Sequence, residues 1–245
     1  MKLKDAWLLT VLAVAACGGP ADPVDDAALD EPAAAAGADA VEPELVATDA
    51  AGSPTTGRFE LGVHYLRLSP TQPTSSNPDQ VEVCEVFWYG CPHCYNFDPL
   101  LEQWRERQPD YVSFVRVPAV WNDLLRLHAR AFYTAEELGK AAEMHAEFFR
   151  EYHERRNQLD TEQKLTEFFG RFGVDAATFK TAFDSFAVQA KLQRADELNR
   201  RYRIGSVPTI VVNGKYTSDA PQAGGTYEDL LALTDELVAA ERAGR

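Results

Sequence analysis

The chain has little cysteine, and half of it is scattered. Of four cysteines in 245 residues, only Cys91 and Cys94 are close together. A structural zinc site takes four Cys or His ligands, commonly as two close pairs. Cys17 and Cys84 form no second pair, and none of His64, His93, His128, His145 and His153 sits beside another at finger spacing. A metal site is therefore not expected, nor is any cofactor. Basic charge is also short. The formal charge is −14, which argues against nucleic acid as a partner. The apolar run Ala6–Ala16 has eleven residues, whereas a membrane-spanning helix needs about 20. Residues 18–57 have no Lys, Arg or aromatic residue but hold nine acidic ones. Such a segment buries too little apolar surface to offset its ordering entropy, so it reads as a disordered linker.

Lys2 and Lys4 precede the short apolar run, and small residues follow it, which is the shape of a secretory signal. Val14-Ala15-Ala16-Cys17 resembles a bacterial lipobox. That resemblance implies cleavage before Cys17 and a lipid anchor on Cys17, with the protein on the periplasmic side. Cleavage after Ala13-Val14-Ala15 is the competing reading and gives a soluble periplasmic protein. The expected organisation is a signal over residues 1–17, a linker over 18–57 and a catalytic domain over 58–245.

Val81 to Tyr89 is rich in β-branched and aromatic residues and reads as a buried strand. Gly90 ends it. Pro92 suits the first turn of a helix, so Cys91 falls at the N-cap, with Cys94 one turn inside. Free N–H groups and the helix dipole favour negative charge there, and a thiol so placed ionises readily. A structural disulfide and half a zinc site compete with a redox dithiol. The strand–turn–helix setting favours the redox dithiol.

Further patterns place the other elements. Leu61–Leu68 reads as a first strand and Tyr111–Val117 as a third. Four helices fill residues 121–187, starting at Asn122-Asp123, Lys140, Thr161 and Asp175, with Gly139 stopping the first. His128, His145 and His153 lie on them and read as packing or surface residues. A long helix over Val188–Tyr202 follows. Asn213-Gly214 between two apolar runs predicts a hairpin, and Tyr227–Ala243 a final helix. Glu85 alternates onto a face of the buried strand, where a carboxyl is pushed toward its neutral form and can pass protons.

Glu85-Val-Phe-Trp-Tyr-Gly-Cys-Pro-His-Cys-Tyr-Asn-Phe-Asp-Pro-Leu-Leu resembles the DsbA family of thiol:disulfide oxidoreductases. So do Pro118-Ala-Val-Trp-Asn, Ala129-Arg-Ala-Phe-Tyr-Thr-Ala-Glu and Val207-Pro-Thr-Ile-Val-Val-Asn-Gly. The resemblance implies an α/β thioredoxin-like fold with an inserted all-helical subdomain. It implies a Cys91–Cys94 redox disulfide, with Pro92 and His93 tuning it and Glu85 at the family's acidic position. Pro208 is expected cis, with Val207 offering backbone groups to a bound peptide. Reduced secreted proteins are the implied substrates, and a membrane quinone-linked oxidase of the DsbB type the implied re-oxidant. A reductase or isomerase of the same fold, a metal carrier and a chaperone are the alternatives.

Overall fold

A computed structural model describes residues 42–48 and 57–244. The expected signal over 1–17, its Cys17, and most of the expected linker lie outside the described residues. Six strands form one sheet in the order β1-β2-β6-β5-β3-β4. They are β1 (Glu44–Val46), β2 (Leu66–Ser69), β3 (Val81–Phe87), β4 (Val112–Pro118), β5 (Thr209–Val212) and β6 (Tyr216–Ser218). Only β3 and β4 run parallel; the other pairs are antiparallel.

The sheet is built around β3, in which all seven residues are buried. Alternation sends its side chains to two cores. Val81 and Val83 pack with Phe97, Leu101 and Trp104 of α1 (Pro92–Arg105) and Leu230, Leu233 and Leu237. Cys84 and Val86 pack with the helical subdomain. That subdomain holds α2 (Asp123–Glu137), α3 (Ala141–His153), α4 (Glu162–Gly170) and α5 (Ala176–Phe183). The long helix α6 (Phe186–Arg201) returns to the sheet. A short α7 (Ala220–Ala223) and the final α8 (Tyr227–Ala243) complete the chain.

Local chemistry explains most boundaries. Asn122, Thr161, Asp175, Ser185 and Thr226 each accept a hydrogen bond from a first-turn N–H of the helix they cap. Gly139, at φ +68°, follows α2 where a left-handed residue is needed. Asn213 and Gly214 both have positive φ, as the tight turn between β5 and β6, closed by the Lys215 N–H on the Val212 carbonyl, requires. Pro99 lies inside α1, which continues through it.

Three expectations need correction. The linker reading extended to residue 57, but Glu44–Val46 forms an edge strand paired with β2. These residues acquire structure from an open sheet edge, which a composition rule does not contain. The first expected strand, Leu61–Leu68, is a strand only from Leu66. Before it, Gly62 takes φ +85° and its N–H bonds to the Tyr65 carbonyl, closing a turn. Finally, α7 was not anticipated; Asp219 caps it by accepting from Gln222 N–H at 3.0 Å.

Gly214 offers a test of the hairpin. It sits at φ +62°, and a Cβ there would lie 2.1 Å from the Gln72 carbonyl oxygen. Gly214→Ala is expected to lower unfolding free energy by more than about 1 kcal/mol, read from urea unfolding midpoints. An unchanged midpoint would show that the turn can yield.

Candidate functional site

Cys91 is the N-cap of α1, with φ −83° and ψ 119°, and Pro92 stands at the first helical position. Gly90 and the end of β3 deliver the chain to this point. Cys91 is 7% exposed and Cys94 is fully buried. Neither forms a disulfide in this structure. The Cys91 thiol donates to the Val207 carbonyl at 3.3 Å. Val207–Pro208 is a cis peptide bond immediately before β5. The structure thus brings Cys91, Pro92, His93, Cys94, Val207 and Pro208 to one end of the sheet. Beside them runs a groove of about 470 Å³ lined by His93, Val207, Pro208, Pro221 and Tyr227, among others.

The two thiols are electrostatically opposite. The Cys91 thiol is lowered to about 6, first by a hydrogen bond from the Cys94 thiol, with help from the backbone N–H groups of Cys94 and His93 and from the His93 charge. Burial opposes this but does not win. Cys94 is raised well above its ordinary value, mainly by burial, and further by its bond to Cys91 and by the charge of Glu85. A nucleophilic thiolate therefore forms on Cys91, and Cys94 keeps its proton.

Glu85 is 1% exposed. Burial pushes its carboxyl up to about 7, against the pull of Arg116. Arg116 faces it across the β3–β4 register and donates from Nε to Glu85 Oε2 at 2.9 Å. Arg116 Nη2 also donates to Asp98 at 3.0 Å and to Glu102 at 2.5 Å. Asp98 accepts from His145 Nε2 at 3.0 Å, and Tyr89 O–H meets His145 Nδ1 at 2.9 Å. Burial opposes ionisation of Asp98, yet the His145 hydrogen bond and Arg116 hold it below the usual carboxylate range. His145 is lowered, by burial and by Arg116. A neutral ring that gives Nε2–H to Asp98 and accepts from Tyr89 at Nδ1 satisfies both contacts.

His128 and His153 also serve the site. Trp88 Nε1–H donates to His128 Nδ1 at 3.1 Å, and His128 Nε2–H donates to the Gln158 carbonyl at 2.8 Å. Burial lowers His128 to about 4, consistent with one proton on that ring. His153 donates to the Tyr89 carbonyl at 2.8 Å and stacks on Tyr95. The packing reading of these histidines omitted their polar work, which ties the helical subdomain to the end of β3. No cluster of His, Cys, Asp or Glu among the described residues could hold a metal ion. Cys84 lies in the same core cluster as Cys91 and Cys94, and burial raises its thiol.

A cis proline facing a Cys-x-x-Cys at a helix N-terminus, with helices inserted between β4 and β5, is matched in known proteins. A family profile described as DSBA-like thioredoxin domain matches residues 112–230. The thiol:disulfide interchange protein DsbA of Pseudomonas aeruginosa is 39% identical over 185 residues, 76% of this chain and 87% of that protein. Its counterpart in Azotobacter vinelandii is 38% identical over 187 residues, again 76% of this chain and 86% of the relative.

The chain belongs to the DsbA family.

A crystal structure of Pseudomonas aeruginosa DsbA superposes with a TM-score of 0.71 at 39% identity, covering 75% of this chain and 94% of that one. The Xylella fastidiosa DsbA structure gives 0.69 at 34% identity, covering 74% and 96%. The thioredoxin-like fold with a helical insertion is thus that of DsbA. Sequence reasoning missed Asp98, Arg116 and His145. Arg116 did carry a signal: it is the one charge in its strand, beside a strand that holds Glu85.

Two measurements test this site. The ultraviolet absorbance of the thiolate in the reduced protein is expected to titrate with a midpoint near pH 6 and to vanish in Cys91→Ala. In Cys94→Ala the midpoint should rise, because the hydrogen-bond donor is gone; a fall would discount that bond. The second concerns stability. Glu85 binds its proton more tightly folded, at about 7, than at its ordinary 4.5. The folded state therefore carries more protons between those values, and this group's contribution to stability falls as pH rises through that window and is flat above it. Glu85→Gln should remove that fall, on the order of 3 kcal/mol, in urea unfolding measured across the window. A slope unchanged from the parent would assign the proton elsewhere.

Proposed function

We propose that this DsbA-family oxidoreductase acts in the periplasm as a dithiol oxidase, donating the Cys91–Cys94 disulfide to reduced secreted proteins. The observation that carries this is the unequal pair: an N-cap thiol lowered to about 6 beside a buried thiol that retains its proton.

In the oxidised enzyme a substrate thiolate attacks Cys91 Sγ, the Cys91–Cys94 bond breaks, and Cys94 leaves as a thiolate. Buried Cys94 holds a charge poorly, so it takes up a proton, for which Glu85 is the placed donor. A second substrate thiolate then attacks the substrate sulfur of the mixed disulfide. A substrate disulfide forms, and Cys91 departs as a thiolate. Two electrons have passed from substrate to enzyme. A leaving group of low pKa departs readily, and stabilising the thiolate stabilises the reduced enzyme, which makes the disulfide oxidising. His93 and the helix N-terminus supply that stabilisation. Val207, whose carbonyl already accepts from Cys91, offers backbone groups for an extended substrate chain beside Pro208.

The same reading includes a re-oxidant and a location. A membrane quinone-linked oxidase of the DsbB type would return electrons to the respiratory chain. Lipidation at Cys17 would hold the enzyme at the membrane, with the acidic linker between anchor and domain. No helix among the described residues is long and apolar enough to cross a membrane, so attachment would rest on that lipid.

The deciding measurement is the reduction potential of the Cys91/Cys94 pair in the full chain, equilibrated with glutathione buffers and followed by Trp88 fluorescence. A potential above the glutathione range is expected, together with loss of disulfide transfer to a reduced, unfolded protein in Cys91→Ser. A strongly reducing potential would reverse the direction of electron flow. The absence of any redox transition would leave only binding functions.

A further inference from the structure

Tyr227 begins α8, and its hydroxyl reaches the head of α1. It donates to the His93 carbonyl at 3.0 Å and lies 3.5 Å from His93 Nδ1. Its ring stacks on Phe97, one helical turn beyond Cys94, with centroids 5.1 Å apart. The placement is built. Thr226 caps α8, accepting from Asp229 N–H at 3.0 Å and donating its hydroxyl to Asp229 Oδ2 at 2.7 Å. Arg58 pairs with the same Asp229. Gly224 and Gly225, at φ +141° and +105°, let the chain turn into the cap. A Cβ at Gly224 would press on the Asp229 carboxylate at 3.0 Å. The first residue of α8 is thereby set over the dithiol helix.

The contacts define what the phenol does. Its one hydrogen is committed to the His93 carbonyl, so its oxygen presents only lone pairs toward Nδ1. That arrangement suits a ring with a proton on Nδ1 and opposes the tautomer without one. The positive charge of His93 stabilises the Cys91 thiolate. The phenol itself is raised above its ordinary value, by burial and then by the charges of Cys91 and Cys94, which places it within the field of both sulfurs.

We propose that Tyr227 is a positioning residue for disulfide exchange: its hydroxyl clamps the backbone and ring of His93, holding the imidazole in the orientation, with Nδ1 protonated, that stabilises the Cys91 thiolate. The inference rests on the oxidase reading of the site and adds to it a residue from the far end of the chain. Tyr227 touches no reacting atom and acts through His93.

Tyr227→Phe keeps the ring that stacks on Phe97 and removes only the hydroxyl. In the full-length protein, the equilibrium constant for oxidising glutathione is expected to fall about two- to tenfold, the worth of one hydrogen bond. The thiolate absorbance should titrate at a higher pH, and the urea midpoint should stay within error of the parent. In a His93→Ala background, the same substitution should change neither redox readout. An unchanged equilibrium constant in Tyr227→Phe overturns the proposal. An equal shift with and without His93 also overturns it, because the effect would not pass through the imidazole. These outcomes leave the oxidase reading standing. If the parent shows no exchange with glutathione, the oxidase reading falls first and the clamp with it.

Discussion

The structure depends on one asymmetry, a single negative charge made welcome on Cys91 and unwelcome one helical turn away. Most of the surrounding architecture enforces it. Burial of β3 on both faces fixes where the chain enters α1. Pro92 at the first helical position leaves the following N–H groups free to face sulfur. Cys94, fully buried, serves better as a hydrogen-bond donor than as an anion. A thiol pair on a loop would lack this difference, and its disulfide would have no reason to be strained toward reduction by charge alone.

Behind the pair, the fold tolerates an arrangement that cores usually avoid. Glu85, Asp98, Arg116 and His145 are all at or near full burial. One guanidinium faces three carboxylates, counting Glu102. Unpaired buried charge is costly, and geometry decides whether pairing offsets the desolvation. Here Asp98 and Glu102 are held ionised while Glu85 is pushed up. Arg116 has enough partners to stay charged without Glu85, which leaves Glu85 free to exchange a proton near neutral pH. The carboxyl whose charge acts on the buried Cys94 is the one whose ionisation is least secured.

The sequence made visible whatever local rules control. Cys91 and Cys94, the strand before them, the caps at Asn122, Thr161 and Asp175, and the turn at Asn213-Gly214 are all short-range patterns. Glu85 was legible as a misplaced charge. Its partner Arg116 lies 31 residues away, and only the parallel pairing of β3 with β4 joins them. His145 and Tyr227 carry no such mark: each reads as an ordinary helix residue until α3 and α8 are packed against α1. Strand β1 was hidden for another reason. Its three residues have no periodicity, and they are ordered by a partner edge that the sequence of residues 42–48 does not describe.

That small strand has a bearing on solubility. A sheet edge with unpaired N–H and C=O groups is a template for a second chain, and short, charged edge strands blunt it. Here β1 covers β2, and it is only three residues long, with Glu44 and Leu45 turned outward. A protein trimmed to begin at Arg58, where the apolar pattern starts, would keep every catalytic residue. It would also strip the guard from Leu66–Ser69 and leave that edge open to a neighbouring copy. Glu44–Val46 thus cover an edge that such trimming would open to self-association.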